Sequence, residues 1–468
     1  MEYINVVLES LSNQIYVYVI LWLLIASGIY FSIKLKFSQI KMIPSAISYM
    51  TEKSKKGNVS SFQALMTCTA SKVGTANIAG VAIAVVTGGP GAIFWMWIMA
   101  IIGSASSVVE STLAQMYKRK DPKTGLFIGG PAYYIKYALG KKKIGILFSC
   151  LFIFCYMFAF SALHANNMST SFETLIPDYW NTSWPLIIAF VFTTLIAFVV
   201  FGGIYRISFV SSYLVPFMAT TYLLLGLYIL VTNFYRIPEI FVLIFKDAFD
   251  FKSISGGFAG SVILMGIKRG LLSNEAGMGS APNSAATADT THPMKQGIMQ
   301  VLSVCIDTML ICSTSAFIIL LSKTPLSTDM QGVPLMQTAV TSQVGGWGSY
   351  FIACSVVCFA FSAIIGNFGI SEPNILFIKN SAKFTTILKA ICFSAVALGC
   401  LISPKIVWNI ADIAMAMLAI VNLISIVCLT DKFMVCYKDY KKQKKAGLNP
   451  TFNSKDYNIK NADCWDKT

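Results

Sequence analysis

The chain has 468 residues, 56% of them hydrophobic and 12% charged, with a mean hydropathy of +0.67. That charged share is about half of the roughly 25% usual in soluble domains, which excludes a soluble globular protein and predicts an all-α polytopic membrane protein. The net charge of +15 does not predict a nucleic-acid partner, because the Lys and Arg residues concentrate in a few loops and the tail, as expected of cytoplasmic segments.

In chain order, eleven apolar runs approach the ~20 residues a tilted membrane helix needs. They cover 15–33, 62–87, 91–117, 144–168, 185–202, 208–232, 256–283, 296–321, 348–370, 386–403 and 406–430. The first follows Glu2 and Glu9 rather than a basic n-region, so it reads as a retained span and not a signal peptide. Residues 1–61 form an N-terminal accessory span plus a cytoplasmic amphipathic segment at 38–50. Residues 62–430 form the membrane-spanning core, and 431–468 a cytoplasmic basic tail expected to be largely unstructured. Lysines gather before span 2 (Lys34 to Lys56), between spans 3 and 4 (Lys118 to Lys143) and in the tail, whereas the N-terminus has no Lys or Arg ahead of span 1. This alternation places the N-terminus outside and the C-terminus in the cytoplasm, which requires an odd number of spans.

Spans 2 and 7 are unlike the others. The first contains Ser71-Lys72-Val73-Gly74-Thr75-Ala76-Asn77-Ile78-Ala79-Gly80, and the second Gly266-Ile267-Lys268-Arg269-Gly270-Leu271-Leu272-Ser273-Asn274-Glu275-Ala276-Gly277. Backbone released from helical bonding inside a membrane must be buried in protein or line a wet cavity. Paired interruptions in corresponding halves point to a secondary transporter's binding site. The two lie five positions apart in the order of spans, so spans 2–6 and 7–11 read as two halves of an inverted repeat. Free amides at the break in span 2 suit a substrate carboxylate and free carbonyls suit a sodium ion, with Thr75 and Asn77 adding side-chain contacts. The competing reading is that Gly74 and Gly80 serve close helix packing. For Lys268 and Arg269 a structural ion pair is expected, with Glu275, Asp307 or Glu110 as partner, because an unpaired basic residue at mid-depth costs about 2.5–3.5 kcal/mol. Ser273 and Asn274 are the better candidate contacts for an amino acid or ion.

Gly88-Gly89-Pro90-Gly91 reads as an extracellular turn, and Gly129-Gly130-Pro131 as a turn opening a cytoplasmic helix. Neither has the spacing of a phosphate-binding loop. No nucleophile, base or paired-carboxylate constellation indicates an enzyme, and two histidines make a zinc site improbable. His164 in span 4, beside Asn166 and Asn167, is expected to be a structural hydrogen-bonding residue sooner than a proton relay.

The motifs Gly74 to Ala82, GGPGAIFWMW at 88–97, GGPAYYI at 129–135, Arg269 to Gly277, Asp307-Thr308 and Val407 to Asp412 resemble those of the alanine or glycine:cation symporters. The resemblance runs from about residue 62 to 430. It implies the leucine-transporter fold and sodium-driven uptake of a small neutral amino acid across an inner or plasma membrane, without a cofactor. It also implies substrate contacts from Gly74, Thr75, Ala76 and Asn77 and from the Gly266–Gly270 region, with Ser273 and Asn274 beside it. Sodium would be held by carbonyls of Ala70 and Val73 and the hydroxyl of Ser362. The chain departs from the family pattern at Ala76 (usually Gly), Ala363 (Thr), His164 (Gln), Asn367 (Trp), Met415 (Asn) and Val421 (Pro). Loss of a hydroxyl at 363 and gain of His164 raise two alternatives: proton coupling, or a pocket in which His164 and Asn367 select another amino acid. A transport-dead amino-acid sensor on the same fold is the reading from a different class.

Overall fold

The computed structural model describes residues 2–52, 54–55, 57–250, 262–326 and 330–466. The chain is helical almost throughout. A helix α1 (Glu2–Ile15) runs through a π turn at Tyr16–Ile20 into α2 (Leu21–Lys34), followed by a short α3 (Ile43–Met50). Next come α4 (Ser61–Lys72) and α5 (Val81–Gly88), joined through a π turn at Ala76–Gly80, and the long α6 (Ala92–Met116). After α7 (Pro131–Tyr137), helices α8 (Lys142–Ile153) and α9 (Ser161–Thr170) form one span. They are followed by α10 (Trp184–Val200), α11 (Gly203–Thr232) and α12 (Ile237–Ala248). Beyond the undescribed 251–261 lie α13 (Val262–Asn274) and the two-turn α14 (Ser280–Ala285). Helices α15 (Pro293–Val304) and α16 (Ser313–Leu321) make another span, then α17 (Val333–Val344), α18 (Trp347–Ile378), α19 (Ala382–Gly399), α20 (Pro404–Cys428) and α21 (Thr430–Lys445).

Among the described residues, eight helices are long and apolar enough to cross a membrane, and the bent pair Ser61–Lys72 with Ala76–Gly88 makes a ninth. The shorter Trp184–Val200 is apolar as well. The expected span at 256–283 begins partly outside the described residues, and its described portion is split into α13 and α14. Among the described residues, β structure is limited to a two-residue antiparallel pair, Arg119–Lys120 with Phe127–Ile128, which closes the basic loop after α6, and a single bridge between Val59 and Ala288.

Local signals account for several boundaries. Ser60 caps α4 in a reciprocal box with Gln63, meeting two otherwise free amides. His292 caps α15 through the Met294 N–H, and Pro293 supplies a helix-ready first position. Gly130, at φ 133°, makes the turn that opens α7 at Pro131. Leu186, Phe190, Phe198, Phe217 and Leu224 on α10 and α11 are all exposed, the expected arrangement for helix faces turned to lipid.

The tail departs from expectation. Rather than being unstructured, it forms α21 and then folds back, burying Phe452, Ile459 and Trp465. The Trp465 Nε1–H donates to Gln115 O at 2.7 Å, the Phe452 N–H to Thr291 O at 3.0 Å, and Arg119 pairs with Asp463 at 3.0 Å. Three widely spaced apolar side chains in a lysine-rich segment leave its average composition polar, yet they suffice to dock it on the basic-loop face.

Candidate functional site

The interruption in span 2 begins where α4 ends. The Gly74 N–H donates to Lys72 O at 2.8 Å instead of making the helical bond to Ala70, and the two half-helices meet at 53°. Position 74 leaves no room for a side chain unless a neighbour shifts. A Cβ there would lie 2.6 Å from His164 Cε1 and 3.0 Å from Ala363 Cβ, contacts that no side chain tolerates. The break is therefore pressed between α9 and α18.

Polar partners arrive from those same helices. Thr75 Oγ1 lies 2.9 Å from His164 Nδ1, and Asn167 Nδ2 donates to the same hydroxyl oxygen at 2.8 Å. This network is satisfied when the Thr75 hydroxyl donates a hydrogen bond to His164 Nδ1, the tautomer with its ring hydrogen on Nε2. Ser71 Oγ donates to Asn367 Oδ1 at 2.7 Å. Helix α18 approaches so closely that a Cβ on Gly366 would lie 2.7 Å from Ser71 N. One turn earlier on α18 is Ser362, fully buried, its Oγ without a hydrogen-bond partner among the described residues. Thr69 Oγ1 is in the same condition. Unpartnered oxygens beside the Ala70–Val73 backbone fit a hard cation, which takes oxygen ligands.

The second interruption lies further along than the sequence suggests. Gly266 and Gly270 are inside the continuous helix α13. A Cβ at 266 would meet Trp95 Cβ at 2.5 Å, and one at 270 would meet Met99 Cβ at 3.1 Å. Both glycines therefore serve packing against α6, and the expectation that the Gly266–Gly270 backbone is unwound is corrected. Helical bonding stops after Asn274. Glu275 (φ 53°), Gly277 (φ 84°) and Gly279 (φ 85°) carry the chain through left-handed conformations into α14. Asn274 Oδ1 accepts from Ala276 N at 3.0 Å, starting the turn. The freed amides are received by one buried carboxylate: Glu110 accepts from Gly277 N at 3.3 Å, Gly279 N at 3.1 Å and Asn422 Nδ2 at 2.7 Å.

Lys268 and Arg269 find a partner that the sequence reading did not consider. Asp412 on α20 lies 3.2 Å from Arg269 Nη1 and 3.7 Å from Lys268 Nζ. The Lys268 ammonium also donates to Ser12 Oγ at 3.1 Å and Asn13 Oδ1 at 2.9 Å, and Arg269 stacks on Trp408. Glu275 lies past the end of α13 at φ 53° and forms no ion pair with either base among the described residues. Glu110 is engaged at the break, and Asp307 sits elsewhere. Asp307 accepts from Asn77 Nδ2 of span 2 and from Ser273 Oγ at the end of α13, and from Thr308 Oγ1 at 3.1 Å. Lys72 Nζ is buried without a hydrogen-bond partner among the described residues, within electrostatic reach of Glu110, Glu275 and Asp307.

Of the predicted site residues, Gly74, Thr75, His164 and Asn367 cluster at the first break, and Ser273 joins Asn77 through Asp307. Ala76 is buried beside them, and Gly266 and Gly270 stand apart. Sequence reasoning named Asn167 and Asp412 without giving either a role, and missed Asn422. Each is a polar residue within an apolar span, which is the signal that was available. On the basic-loop side a cavity of about 340 Å³ runs along Gln63, Thr67, Asn283, Ser284 and Gly369, beside the inner halves of both interrupted helices.

A polytopic helical protein with two interrupted helices facing each other through a buried polar cluster is built as a membrane transporter. The model of the sodium:alanine symporter family matches residues 1–454, and the chain belongs to that family. It is 42% identical over 469 residues to the amino-acid carrier protein AlsT of Bacillus subtilis, covering 99% of this chain and 98% of that one. It is likewise 42% identical to the probable sodium/glutamine symporter GlnT of the same organism, over 95% of this chain and 92% of the relative. It is 34% identical to the sodium/proton-dependent alanine carrier protein of Bacillus sp. strain PS3, over 88% of this chain and 95% of the relative.

Proposed function

We propose that the protein is a secondary symporter that imports a small neutral amino acid, alanine or glycine, on the sodium gradient by alternating access. The observation that carries this is the break at Val73–Thr75, wedged between His164, Asn367 and Ser362. Its released backbone suits a zwitterion's carboxylate, and the unpartnered Ser362 and Thr69 hydroxyls suit a cation. In this reading the carboxylate meets the backbone of Gly74 to Asn77 near Thr75 and His164, while Ser273 and Asn274 border the pocket from α13. Sodium takes the carbonyls of Ala70 and Val73 and Ser362 Oγ. The topology proposed is eleven spans, N-terminus outside and C-terminus cytoplasmic, with spans 2–6 and 7–11 as inverted halves. Support comes from family membership and from relatives named as alanine carriers.

A second reading has its own observation. His164, in contact with Thr75, and Asn367, in contact with Ser71, set two polar groups beside the break in span 2, and a similar relative is named a probable sodium/glutamine symporter. The test is uptake of labelled alanine into proteoliposomes under an imposed sodium gradient or an imposed proton gradient, with glycine and glutamine as competitors. Accumulation on the sodium gradient alone, competed by glycine, is expected. Accumulation on the proton gradient alone overturns sodium coupling, and competition by glutamine but not glycine overturns the substrate assignment.

A further inference from the structure

We infer that residues 449–466 of the tail are a strap that restrains the gate on the basic-loop side, slowing the opening of the cavity beside Thr67 and Ser284 for as long as they stay docked. The inference rests on the symporter reading and goes beyond it.

The strap is fastened at two ends. At its start, the Phe452 N–H donates to Thr291 O at 3.0 Å, Thr291 Oγ1 donates to Pro450 O at 2.8 Å, and the Lys295 ammonium donates to Asn449 Oδ1 at 2.7 Å. Thr291 belongs to the link between α14 and α15. That link is tied in turn to the stretch before α4, since Asp289 N donates to Val59 O at 3.0 Å and Asn58 Nδ2 to Asp289 Oδ2 at 2.7 Å. This end therefore grips the connections of both inner half-helices, α4 and α14. At the far end, Asn461 Nδ2 donates to Tyr137 O, at the close of α7, at 3.0 Å. Arg119 donates to Asn461 O at 2.9 Å and pairs with Asp463. This end grips α7 and the basic hairpin 119–128.

The hairpin is what the strap controls. Leu126, Phe127 and Ile128 line the cavity of about 340 Å³ together with Thr67 of α4 and Ser284 of α14. Phe127 also reaches toward the tail. The buried Lys118 ammonium lies 3.9 Å from the centre of the Phe127 ring and 4.9 Å from that of Trp465, and such cation–ring contacts strengthen when desolvated. The stack Phe127, Lys118, Trp465 thus joins the cavity wall to the tail. Alternating access rocks one group of helices against another, so the hairpin and the inner half-helices have to part for this cavity to widen. The tail is fastened on both sides of that seam. It has to stretch or let go before the seam opens, and its contacts add to the barrier for that step.

The experiment compares the unaltered full-length chain with Phe452→Ala, Trp465→Ala and the two combined. It uses hydrogen exchange in detergent and uptake of labelled alanine into proteoliposomes on a sodium gradient. The double variant is expected to exchange roughly tenfold faster over 449–466 and about threefold faster over 119–128. Its maximal uptake rate is expected to rise about twofold or more, with KM nearly unchanged, because a gating step and not substrate contact has been altered. Asp463→Asn, a milder change at the exposed end of the Arg119 pair, is expected to move every readout the same way by less. It serves if the aromatic variants do not purify as a single species. A tail that undocks while exchange over 119–128 or the maximal rate stays unchanged or falls overturns the strap. No sodium-driven uptake by the unaltered chain, with the exchange response intact, overturns the symporter reading and leaves the restraint on the hairpin standing.

Discussion

At Val73–Thr75 the chain meets an imidazole and two carboxamides contributed by α9 and α18, and the nearby Ser362 and Thr69 hydroxyl oxygens have no hydrogen-bond partner among the described residues. At Glu275–Gly279 the released amides converge on the Glu110 carboxylate, and two turns earlier Lys268 and Arg269 are fixed to Asp412. The first interruption is held by uncharged hydrogen bonds and the second by charged groups, while each keeps unmet buried polar atoms among the described residues, Thr69 Oγ1 at the first and Asn274 Nδ2 and Ser280 Oγ at the second. The difference indicates a division of labour, with binding at the first break and mechanical anchoring at the second. Charge-assisted hydrogen bonds are roughly twice as strong as neutral ones, which suits an anchor.

The comparison can be broken most forcefully at the anchor. Asp412→Ala leaves two basic groups buried without a carboxylate and is expected to destabilise the chain by about 3–5 kcal/mol, read as a lowered Tm in detergent. Adding Lys268→Met should recover part of the loss, and a Tm unchanged by Asp412→Ala would dissolve the anchoring argument. Glu110→Ala strands two backbone amides and Asn422. About 3 kcal/mol is expected, at roughly 1 kcal/mol or more for each buried donor. At the binding break the expected loss is in transport instead. Gly74→Ala drives a methyl into His164 and Ala363, for about 1–3 kcal/mol of overpacking. Labelled alanine uptake should fall at least tenfold while the protein still purifies folded. Gly270→Ala, whose Cβ meets Met99 at 3.1 Å, should cost less than about 1 kcal/mol and preserve uptake, since that glycine only packs. Equal uptake losses at 74 and 270 would restore the sequence-based expectation of an unwound Gly266–Gly270.

The smallest effect belongs to the tail. Burial pushes the His292 imidazole below its ordinary value, with Asp439 opposing. Burial raises the Asp439 carboxyl, but hydrogen bonds from His292, Tyr457 and Gln443 outweigh that and hold it low. For a histidine depressed in the docked state, the undocked tail binds more protons. Docking is therefore complete above the free value of about 6.5 and weakens as pH falls below it, and the depressed Asp439 acts in the same direction at lower pH. Protection from hydrogen exchange over residues 450–466, taken relative to the intrinsic rate at each pH, should fall between pH 7.5 and 5.5, and His292→Asn should flatten that change.

Much of this was legible beforehand, for physical reasons that can be named. Low charge and runs near twenty apolar residues determine a polytopic helical protein, because hydrocarbon leaves backbone groups few alternatives to the helix. Glycines beside polar residues at mid-span marked both interrupted segments, and the positions clustered at the first, Gly74, Thr75, His164 and Asn367, were each named from sequence. The second break was located a few residues early, since Gly266 and Gly270 look the same in sequence whether they unwind a helix or let it press against Trp95 and Met99. The partners of charged residues were beyond the sequence altogether. Asp412 lies 143 positions from Arg269, and Asn422 lies 312 from Glu110, so no local pattern relates them. The sequence alone determined the class, the broken helices and the polar inventory. The tertiary structure decided which carboxylate serves which cation or amide, because side-chain reach is a few ångströms and only the packing of α6, α13 and α20 brings those groups within it.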